Sequence, residues 1–461
     1  MAGYTRPRLV LAGVSSGVGK TTIVTGLTAL LHAKGLSVQP FKVGPDYIDP
    51  GFHARAAGRD SYNLDTWLTK EENLASNFAM LSEGADISLI EGVMGLYDGG
   101  GKGVSSTAQI AKLLRAPVVL IINCQSIGAS AAAIALGYQM YDPDIRFAGV
   151  ILNKLGSPKH EAMIREAMVD RGIPVLGALH RDTELQTPER HLGLTPVTEI
   201  ETADLICHMQ DDAGRWIDVD ALLRIAESAP ELECAEGERP GYYAPVRIGV
   251  AQDEAFTFYY PTSLAALEAR GAELVPFSPL RDERIPDVDG LIFGGGFPEM
   301  FQTELAVNVS MKASIAGAAD RGMPVYAECG GLMYLCREIV DFEGRTCAMA
   351  GLVPAVCRMQ KKLQRVGYVT AKALRGSVVA AAGAELRGHE FHFSTMEPLE
   401  ADFPWAYELQ GIRQKEPHLE GFARGHVIAS YLHMNFDGNP EAADRFIRAC
   451  GAWRKTEEAR P

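Results

Sequence analysis

Residues 9–34 read LVLAGVSSGVGKTTIVTGLTALLHAK, and this stretch decides the fold class of the first half of the chain. An apolar run of strand length, 9–12, enters a glycine-rich turn, and the residues from Lys20 to Lys34 have the pattern of a helix. Continuous apolar strands that alternate with helices are typical of a parallel sheet covered on both faces. The sequence therefore predicts an α/β domain. Further candidate strands lie at 37–43, 87–90, 117–122 and 147–152.

The turn at 13–22, GVSSGVGKTT, predicts a phosphate-binding loop between the first strand and the first helix. Its successive backbone N–H groups can surround anionic oxygens, and the helix N-terminus adds a positive end. Lys20 supplies a charge for the terminal phosphates, and Thr21 offers a hydroxyl to Mg²⁺. Gly13 lies one place earlier than the leading glycine of the strict pattern, and a plain glycine turn is the alternative. The predicted ATP-binding residues are Gly17, Gly19, Lys20, Thr21 and Thr22.

Two acidic segments leave later strands of the same domain. The first is FKVGPDYIDP at 41–50, and the second is EGVMGLYDG at 91–99. Ligands bind at the carboxyl ends of strands in open α/β sheets, so both segments are expected to meet the phosphates. Mg²⁺ prefers oxygen ligands, which predicts Thr21 and Glu91 with Asp46, or Asp49 in its place, as the metal site. Loop capping is the alternative for any single carboxylate. The predicted substrate or activation loop contains Asp46, Tyr47, Asp49 and Asp98.

The chain divides near its middle into two predicted domains. The strand pattern is lost between about 200 and 245, and the polar stretch 231–245, ELECAEGERPGYYAP, indicates a linker. Apolar runs of strand length resume at 246–250 and continue at 274–277, 290–293 and 324–327. We therefore predict a P-loop, carboxylate-activating domain over 1–235 and a second α/β domain over 246–450.

A thiol site is predicted where 325–333, VYAECGGLM, passes from a strand through a sharp turn into a helix. A nucleophile on such a turn is held exposed, and a helix N-terminus favours the thiolate, so Cys329 is the predicted nucleophile. His433, in the stretch ASYLHMN, is the predicted base. The glycines at 294–296 allow the backbone to approach a reacting carbonyl. The predicted oxyanion residues are Gly295, Gly296 and Gly330.

Two other patterns have simpler interpretations than a site. HEFH at 389–392 has one residue too few between its histidines for the zinc-binding helix motif, so we interpret it as structural or interdomain. A basic cluster follows 357 in this acidic protein, and a solvated face is the simpler interpretation, with contact to a polycarboxylate as the alternative. The cluster consists of Arg358, Lys361, Lys362 and Arg365.

Composition excludes several classes of function. The formal net charge of −14 argues against non-specific nucleic-acid binding, although local basic clusters leave an acidic substrate open. The eight cysteines are scattered without a C-x-x-C pair, which is typical of reduced thiols rather than a zinc site. The apolar runs are far shorter than a membrane span, and no signal peptide is evident. We predict a cytoplasmic protein with neither nucleic-acid nor membrane partners.

These motifs together resemble the cobyrinate a,c-diamide synthase family of corrinoid biosynthesis. The first half is similar to dethiobiotin synthetase, whose leading glycine is also one place early, and the second half resembles class I glutamine amidotransferases. The matching stretches are GVSSGVGKTT (13–22), FKVGPDYIDPGFH (41–53), EGVMGLYDG (91–99), PERHLGL (188–194), DEAFTFYYP (253–261), GGGFPE (294–299), AECGGLMYL (327–335), RGHEFH (387–392) and SYLH (430–433).

The resemblance implies that ATP with Mg²⁺ phosphorylates the a- and c-side-chain carboxylates of cobyrinate in turn. Ammonia released from L-glutamine at Cys329 then displaces phosphate from each acyl phosphate. Many class I glutaminases carry a glutamate two residues after the histidine, where this chain has Asn435, so a Cys329–His433 dyad is predicted and the group that orients His433 is left open. The segment FKVGPDY also separates the chain from the similar cobyric acid synthases.

Three other functions stay open at this point, and so does a homodimer as the assembly. The same chemistry could act on hydrogenobyrinate or nickel-sirohydrochlorin, related tetrapyrrole polycarboxylates. A MinD-like ATPase switch is the alternative from another class, but Ser15 stands where such ATPases carry a second signature lysine. A glutaminase-like module without catalysis would require an inert Cys329.

Overall fold

A computed structural model describes residues 2–181, 199–234, 241–243, 245–414 and 416–459. The chain divides into two compact units, the first formed by 1–66 and 70–238 and the second by 67–69 and 239–461. The predicted fold class, a P-loop domain with a parallel sheet followed by a second α/β domain, is confirmed. The sequence boundaries did not include Trp67–Thr69 in the second unit, nor the last residues of its C-terminal helix.

Seven strands of the first unit form one parallel sheet in the order β4-β3-β5-β2-β6-β7-β8. The strands of the first unit are β1 (Ala2–Tyr4), β2 (Arg8–Gly13), β3 (Val38–Val43), β4 (Tyr62–Leu64), β5 (Ile87–Glu91), β6 (Val118–Asn123), β7 (Phe147–Leu155), β8 (Val175–His180) and β9 (Leu232–Cys234). Its helices are α1 (Lys20–Ala33), α2 (Asp49–Ala57), α3 (Leu74–Leu81), α4 (Thr107–Leu113), α5 (Ser130–Tyr141), α6 (Pro158–Val169), α7 (Glu199–Trp216) and α8 (Val219–Glu227).

Apolar cores lie on both faces of this sheet, which explains why every residue of β2 and β3 is buried. The prediction that strands are absent between 200 and 245 is wrong, because β9 pairs antiparallel with β1. A strand of three residues is too short to show a hydrophobic periodicity in the sequence. It is recognised only by its hydrogen bonds to the partner strand. The matching stretch PERHLGL, 188–194, lies outside the described residues.

The second unit has a ten-stranded sheet in the order β11-β10-β12-β13-β22-β21-β20-β17-β18-β23 and a four-stranded sheet in the order β15-β14-β16-β19. Its strands are β10 (Val246–Ala251), β11 (Ala272–Phe277), β12 (Gly290–Phe293), β13 (Val325–Glu328), β14 (Cys336–Val340), β15 (Thr346–Ala348), β16 (Val353–Met359), β17 (Arg365–Ala373), β18 (Glu385–His392), β19 (Ser394–Pro398), β20 (Trp405–Gly411), β21 (His418–Arg424), β22 (Val427–Ser430) and β23 (His433–Met434). Its helices are α9 (Pro261–Glu268), α10 (Gln302–Val307), α11 (Val309–Asp320), α12 (Gly330–Leu335) and α13 (Pro440–Glu458).

The ten-stranded sheet is parallel on one side and antiparallel on the other. From β11 to β22 the neighbours are parallel, and from β22 to β23 they are antiparallel. The four candidate strands predicted between 246 and 327 correspond to β10–β13, in the parallel part. Because the carboxyl ends of parallel strands share one edge, the segments that follow β12, β13 and β22 come together there. None of the helices in the described parts of the chain is long and apolar enough to span a membrane.

Candidate active site

The loop between β2 and α1 has the backbone that a phosphate cradle needs. Gly17 and Gly19 have φ angles of 74° and 95°, which favour glycine. A side chain on Gly19 would overlap the amide of Asn153, and a Cβ on Gly13 would lie 3.0 Å from Nζ of Lys20. The absence of a side chain at Gly13 therefore leaves space for the ammonium group of Lys20. Thr22 follows in the first turn of α1, where it is partly exposed.

Lys20 is buried beside this loop, and its ammonium group is held by backbone oxygens. Nζ donates to the carbonyls of Ser15 at 3.0 Å and Met94 at 2.6 Å. Burial and the neighbouring charge of Lys42 lower the pKa of Lys20 to about 8. Additional anionic charge at the loop would stabilise the protonated amine, so the lysine is suited to hold a phosphate.

The acidic segments predicted from the sequence meet around a second lysine. Nζ of Lys42 pairs with Asp49, lies 2.8 Å from Oε1 of Glu91 and is 4.0 Å from Asp46. The hydroxyl of Thr21 donates to the same Glu91 oxygen at 2.8 Å. The structure thus brings together Thr21, Asp46, Asp49 and Glu91, and it adds Lys42, a basic centre that the sequence reasoning missed.

The protonation of this cluster follows from its burial and its charges. Burial, together with Asp46 and Glu91, raises the pKa of Asp49 to about 7. Burial opposes the charge of Glu91, but Lys42 and His53 outweigh it and hold its pKa well below its usual range. Nε2 of His53 lies 2.7 Å from Oε2 of Glu91. Glu91 is therefore an anion in contact with three groups, the ammonium of Lys42, the hydroxyl of Thr21 and the ring of His53.

Two of the predicted loop residues, Asp46 and Asp98, also accept backbone hydrogen bonds within their own loops. Oδ1 of Asp46 accepts from the N–H groups of Ile48 and Asp49 at 2.8 and 3.1 Å, and the other oxygen faces Lys42. Oδ2 of Asp98 accepts from the N–H of Gly95 at 3.0 Å. Tyr47 is partly exposed in the same segment as Asp46. Capping therefore occupies only one oxygen of Asp46, and the other oxygen faces Lys42.

The donor set fits Mg²⁺ in kind, since Thr21, Asp46 and Glu91 offer hard oxygens in a cluster of three carboxylates and one buried lysine. In the described parts of the chain, no group of three or more His, Cys, Asp or Glu side chains is placed so that it could hold a metal ion. The ammonium group of Lys42 lies among the oxygens of Asp46, Asp49 and Glu91.

In the second unit, Cys329 lies on a sharp turn between β13 and α12. Its φ of 47° is a left-handed conformation that is unusual for a residue with a side chain. The N–H of Cys329 donates to the carbonyl of Ser430 at 2.7 Å, which ties the turn to the end of β22. Backbone strain of this kind is often found at functional turns, which agrees with the prediction made for Cys329.

The glycine loop after β12 packs directly against this turn. A Cβ on Gly330 would lie 2.9 Å from N of Gly296, so the two predicted oxyanion backbones are adjacent. A Cβ on Gly295 would lie 2.9 Å from Cε1 of His433, and a side chain on Gly296 would overlap the carbonyl of Ala255. A side chain at Gly295 would therefore crowd the histidine, whereas side chains at Gly296 and Gly330 would crowd the neighbouring backbone.

His433 is buried between residues of β18 and β13. Its ring stacks on that of His389, with centroids 4.8 Å apart and planes inclined by 9°, and the two residues are register partners. Burial opposes a charge on His433, but Cys329 and Glu328 outweigh burial and raise its pKa to about 10. Cys329 and Glu328 therefore favour the protonated, imidazolium form of His433. Cys329 and His433 are thus brought together.

His389 is a site neighbour that the sequence reasoning did not identify. Its Nε2 is 2.7 Å from the hydroxyl of Tyr260, and burial with the nearby His433 lowers its pKa well below its usual value. Glu390 and His392 lie on the other face of β18, where Glu390 is 3.1 Å from Nε2 of His418. Alternation along β18 separates the two histidines of HEFH, which could not have been read from the motif alone.

The basic cluster has the contacts of a solvated surface. Arg358 forms an exposed ion pair with Glu397 at 3.1 Å, and Lys361 and Lys362 are exposed. Exposed pairs of this kind contribute little to stability.

Comparison with known proteins agrees with this geometry in both units. Residues 9–194 match the family model described as a CobQ/CobB/MinD/ParA nucleotide binding domain, and 247–441 match a CobB/CobQ-like glutamine amidotransferase domain. The chain is 44% identical to hydrogenobyrinate a,c-diamide synthase of Streptomyces coelicolor, over 97% of this chain and 98% of that protein. It is 46% and 39% identical to cobyrinate a,c-diamide synthases of Dehalococcoides mccartyi and Leptospira interrogans, over 96% of this chain and 98% of each relative. The chain therefore belongs to the cobyrinate a,c-diamide synthase family of glutamine-dependent amidotransferases.

Proposed function

We propose that the chain uses ATP and L-glutamine to convert the a- and c-side-chain carboxylates of cobyrinate into amides. The observation that carries this proposal is the pairing, in one chain, of a lysine-bearing phosphate loop with a cysteine turn facing a buried histidine. Hydrogenobyrinate is the alternative substrate, since relatives of similar identity carry either name. Nickel-sirohydrochlorin is a third acid to be tested.

In the glutaminase reaction, the thiolate of Cys329 attacks the side-chain amide carbon of glutamine. The oxyanion that forms is held by the N–H of Gly330 and the backbone at Gly295 and Gly296. Imidazolium His433 gives its proton to the leaving nitrogen, which departs as ammonia and leaves a thioester. Water then attacks the thioester with His433 as the base, which releases glutamate and restores the thiol pair.

In the activation reaction, a substrate carboxylate oxygen attacks the γ-phosphorus of ATP, and ADP leaves. Lys20 and the loop N–H groups hold the phosphate oxygens, and Lys42 orders the carboxylates of Asp46 and Asp49 beside them. Ammonia attacks the acyl phosphate carbon and inorganic phosphate leaves with the C–O electron pair. Each cycle therefore consumes one ATP and one glutamine for each amide formed.

Thr21, Asp46 and Glu91 are the residues we propose to hold Mg²⁺. The ion would neutralise charge on the phosphate oxygens during transfer. Its approach requires Lys42 to shift within the cluster, because this lysine faces the same oxygens.

The test is mass spectrometry of products from the three tetrapyrrole acids with ATP, Mg²⁺ and either glutamine or ammonium salt. We expect the diamide, and the preferred acid identifies the substrate. Cys329→Ser should lose most glutamine-dependent product and keep the ammonia-dependent product, because a serine hydroxyl is a far weaker nucleophile. Lys20→Ala should lose both. Near-parent amidation by Lys20→Ala, or equal loss from both nitrogen sources in Cys329→Ser, would contradict the proposal.

Location and assembly are also proposals. All eight cysteines lie within the described residues and none forms a disulfide, which supports a reducing compartment such as the cytoplasm. A homodimer is tested by the mass of the purified protein in light scattering.

A further inference from the structure

The chain has Asn435 where many class I glutaminases have a histidine-orienting glutamate, and the structure shows where this asparagine points. Its Nδ2 donates to Oγ1 of Thr262 at 2.9 Å, and its Oδ1 accepts from the N–H of Asp437 at 2.9 Å. Both ends of the amide are thus engaged in local contacts. Asn435 does not supply the partner of His433.

The carboxylate of Glu328 lies on the other side of the histidine, and its two oxygens have different surroundings. Oε1 accepts from the hydroxyl of Tyr326 and from the N–H of Met434 at 3.1 Å. Oε2 lies 3.7 Å from Nδ1 of His433. One oxygen is therefore anchored by β13 and β23, and the anchoring directs the other toward the imidazole.

From this geometry we propose that Glu328 is the positioning residue for His433 and takes the place of the absent glutamate. The inference rests on the proposed glutaminase activity of Cys329. With Nδ1 facing Glu328, Nε2 is the nitrogen left for the thiol, which is the orientation that proton transfer requires. The 3.7 Å separation is longer than a hydrogen bond, and such contacts tighten in the substrate complex.

Burial makes a countercharge necessary. The side chains of His433 and Glu328 are 2% and 10% exposed, and an isolated imidazolium is costly in such surroundings. Among the described residues, Cys329, Glu328 and His389 are the titratable groups that face His433, and burial with the nearby His433 holds the pKa of His389 well below its usual value. The carboxylate of Glu328 is therefore the charge that stabilises the imidazolium of His433 in the tetrahedral intermediates, where the sulfur of Cys329 is bonded to carbon and carries no charge.

The position of Glu328 next to the nucleophile explains how one turn can organise both groups. Glu328 ends β13, where it pairs with Ser430 of β22, and Cys329 begins the turn. Successive residues of a strand point to opposite faces, and the positive φ of Cys329 breaks this alternation. The strained turn therefore presents a nucleophile and the support of its base from adjacent residues.

The test is steady-state glutaminase kinetics of Glu328→Gln in the full chain, with glutamate release measured across pH 6–10. We expect kcat to fall roughly 100-fold, as for loss of an orienting partner. The alkaline limb of the kcat profile should move to lower pH by roughly 1–2 units, because the imidazolium loses its countercharge. Amidation with ammonium salt should stay within twofold of the parent. Glu328→Asp should recover part of the lost kcat.

Asp289→Asn is the matched control, because this buried carboxylate accepts from the N–H of Arg247 at the opposite end of β12 from the glycine loop. It should leave both the rate and the pH limb unchanged. A Glu328→Gln enzyme with an unshifted limb and a kcat within twofold would overturn the assignment. Equal loss of ammonia-dependent amidation would also overturn it, since it would mark a structural role. If the parent itself releases no glutamate from glutamine, the proposed function fails, whatever Glu328 does.

Discussion

Lys42 and His433 illustrate how single buried cations are stabilised in this protein. Each is almost fully enclosed, and each has a carboxylate held in place by other donors. Such pairs are not a source of great net stability, but removal of one partner leaves an uncompensated charge in a poorly solvated site. We therefore expect large effects from small changes at their partners.

Asp46→Asn should reduce carboxylate activation about 10-fold or more while glutamine hydrolysis stays at the parent rate. The amide oxygen of asparagine can still accept from Ile48 and Asp49, so the turn is preserved and only the charge beside Lys42 is lost. The measurement is ammonia-dependent amidation beside separate glutamate release. Asp218→Asn, an exposed helix cap that accepts from Ala221, is the matched control. A defect confined to glutaminase would mean that the acidic segment was misplaced.

Glu91→Gln should impair activation in the same way and also lower the free energy of unfolding by about 3 kcal/mol. The reason is that His53 would lose its buried anionic neighbour and Lys42 would keep only Asp49 and Asp46. Denaturant unfolding of parent and variant measures the difference. Unchanged stability would show that these groups find another partner.

Glu420 predicts a distinct pH dependence. Burial raises its pKa to about 8, above an unfolded value of about 4.3, so the folded state binds this proton more tightly. The contribution of protonated Glu420 to the free energy of unfolding is fully present below the pKa of the unfolded state. It is lost as the pH rises through the pKa of the folded state. Glu420→Gln stays neutral, and its unfolding temperature relative to the parent should rise by about 5 °C between pH 5 and pH 9. A constant difference over that range would show that Glu420 is ionised throughout.

At the scale of elements, strand ends position the candidate site and helix packing holds the sheet. Helix α1 carries the phosphate loop at its start and packs against α7. Gly26 in the middle of α1 faces the backbone of Met209 in α7, with no room for a side chain. The close approach of these helices therefore depends on this glycine.

Gly26→Ala should lower the free energy of unfolding by about 1–3 kcal/mol, because its Cβ would overlap the carbonyl of Met209. Gly137→Ala in α5 is the matched control, since a Cβ there meets open space. That variant should gain about 0.5–1 kcal/mol from helix propensity alone. Denaturant unfolding of both measures the contrast. Equal effects from the two substitutions would refute the packing argument.

For the whole molecule, the net charge of −14 opposes the approach of polyanionic substrates. Added salt screens this repulsion, so kcat/KM for the tetrapyrrole acid should rise about threefold between 20 and 200 mM salt. Glutamine carries no net charge, and its kcat/KM serves as the control that should not change. A fall with added salt would show that the local field of Lys20 and Lys42 dominates instead.

The sequence by itself determined the features that are local along the chain. The phosphate loop, the cysteine turn and the parallel strands could be predicted because glycine spacing, helix starts and apolar runs depend on neighbouring residues. The same locality explains why the order of the two domains could be read directly. The roles of the individual site residues stay predictions, although the structure brings Thr21 beside Glu91 and Cys329 beside His433.

Only the tertiary structure decided which distant residues become partners. Lys42 meets Glu91, and His433 meets Glu328, although each pair is far apart along the chain, and His389 meets His433 through the register of β18 and β23. The short strand β9 and the placement of Trp67–Thr69 in the second unit depend equally on remote contacts. A sequence motif indicates which chemistry a residue can perform. Burial, countercharge and strand register arise only when the sheet has formed, because remote side chains then lie together in a poorly solvated site.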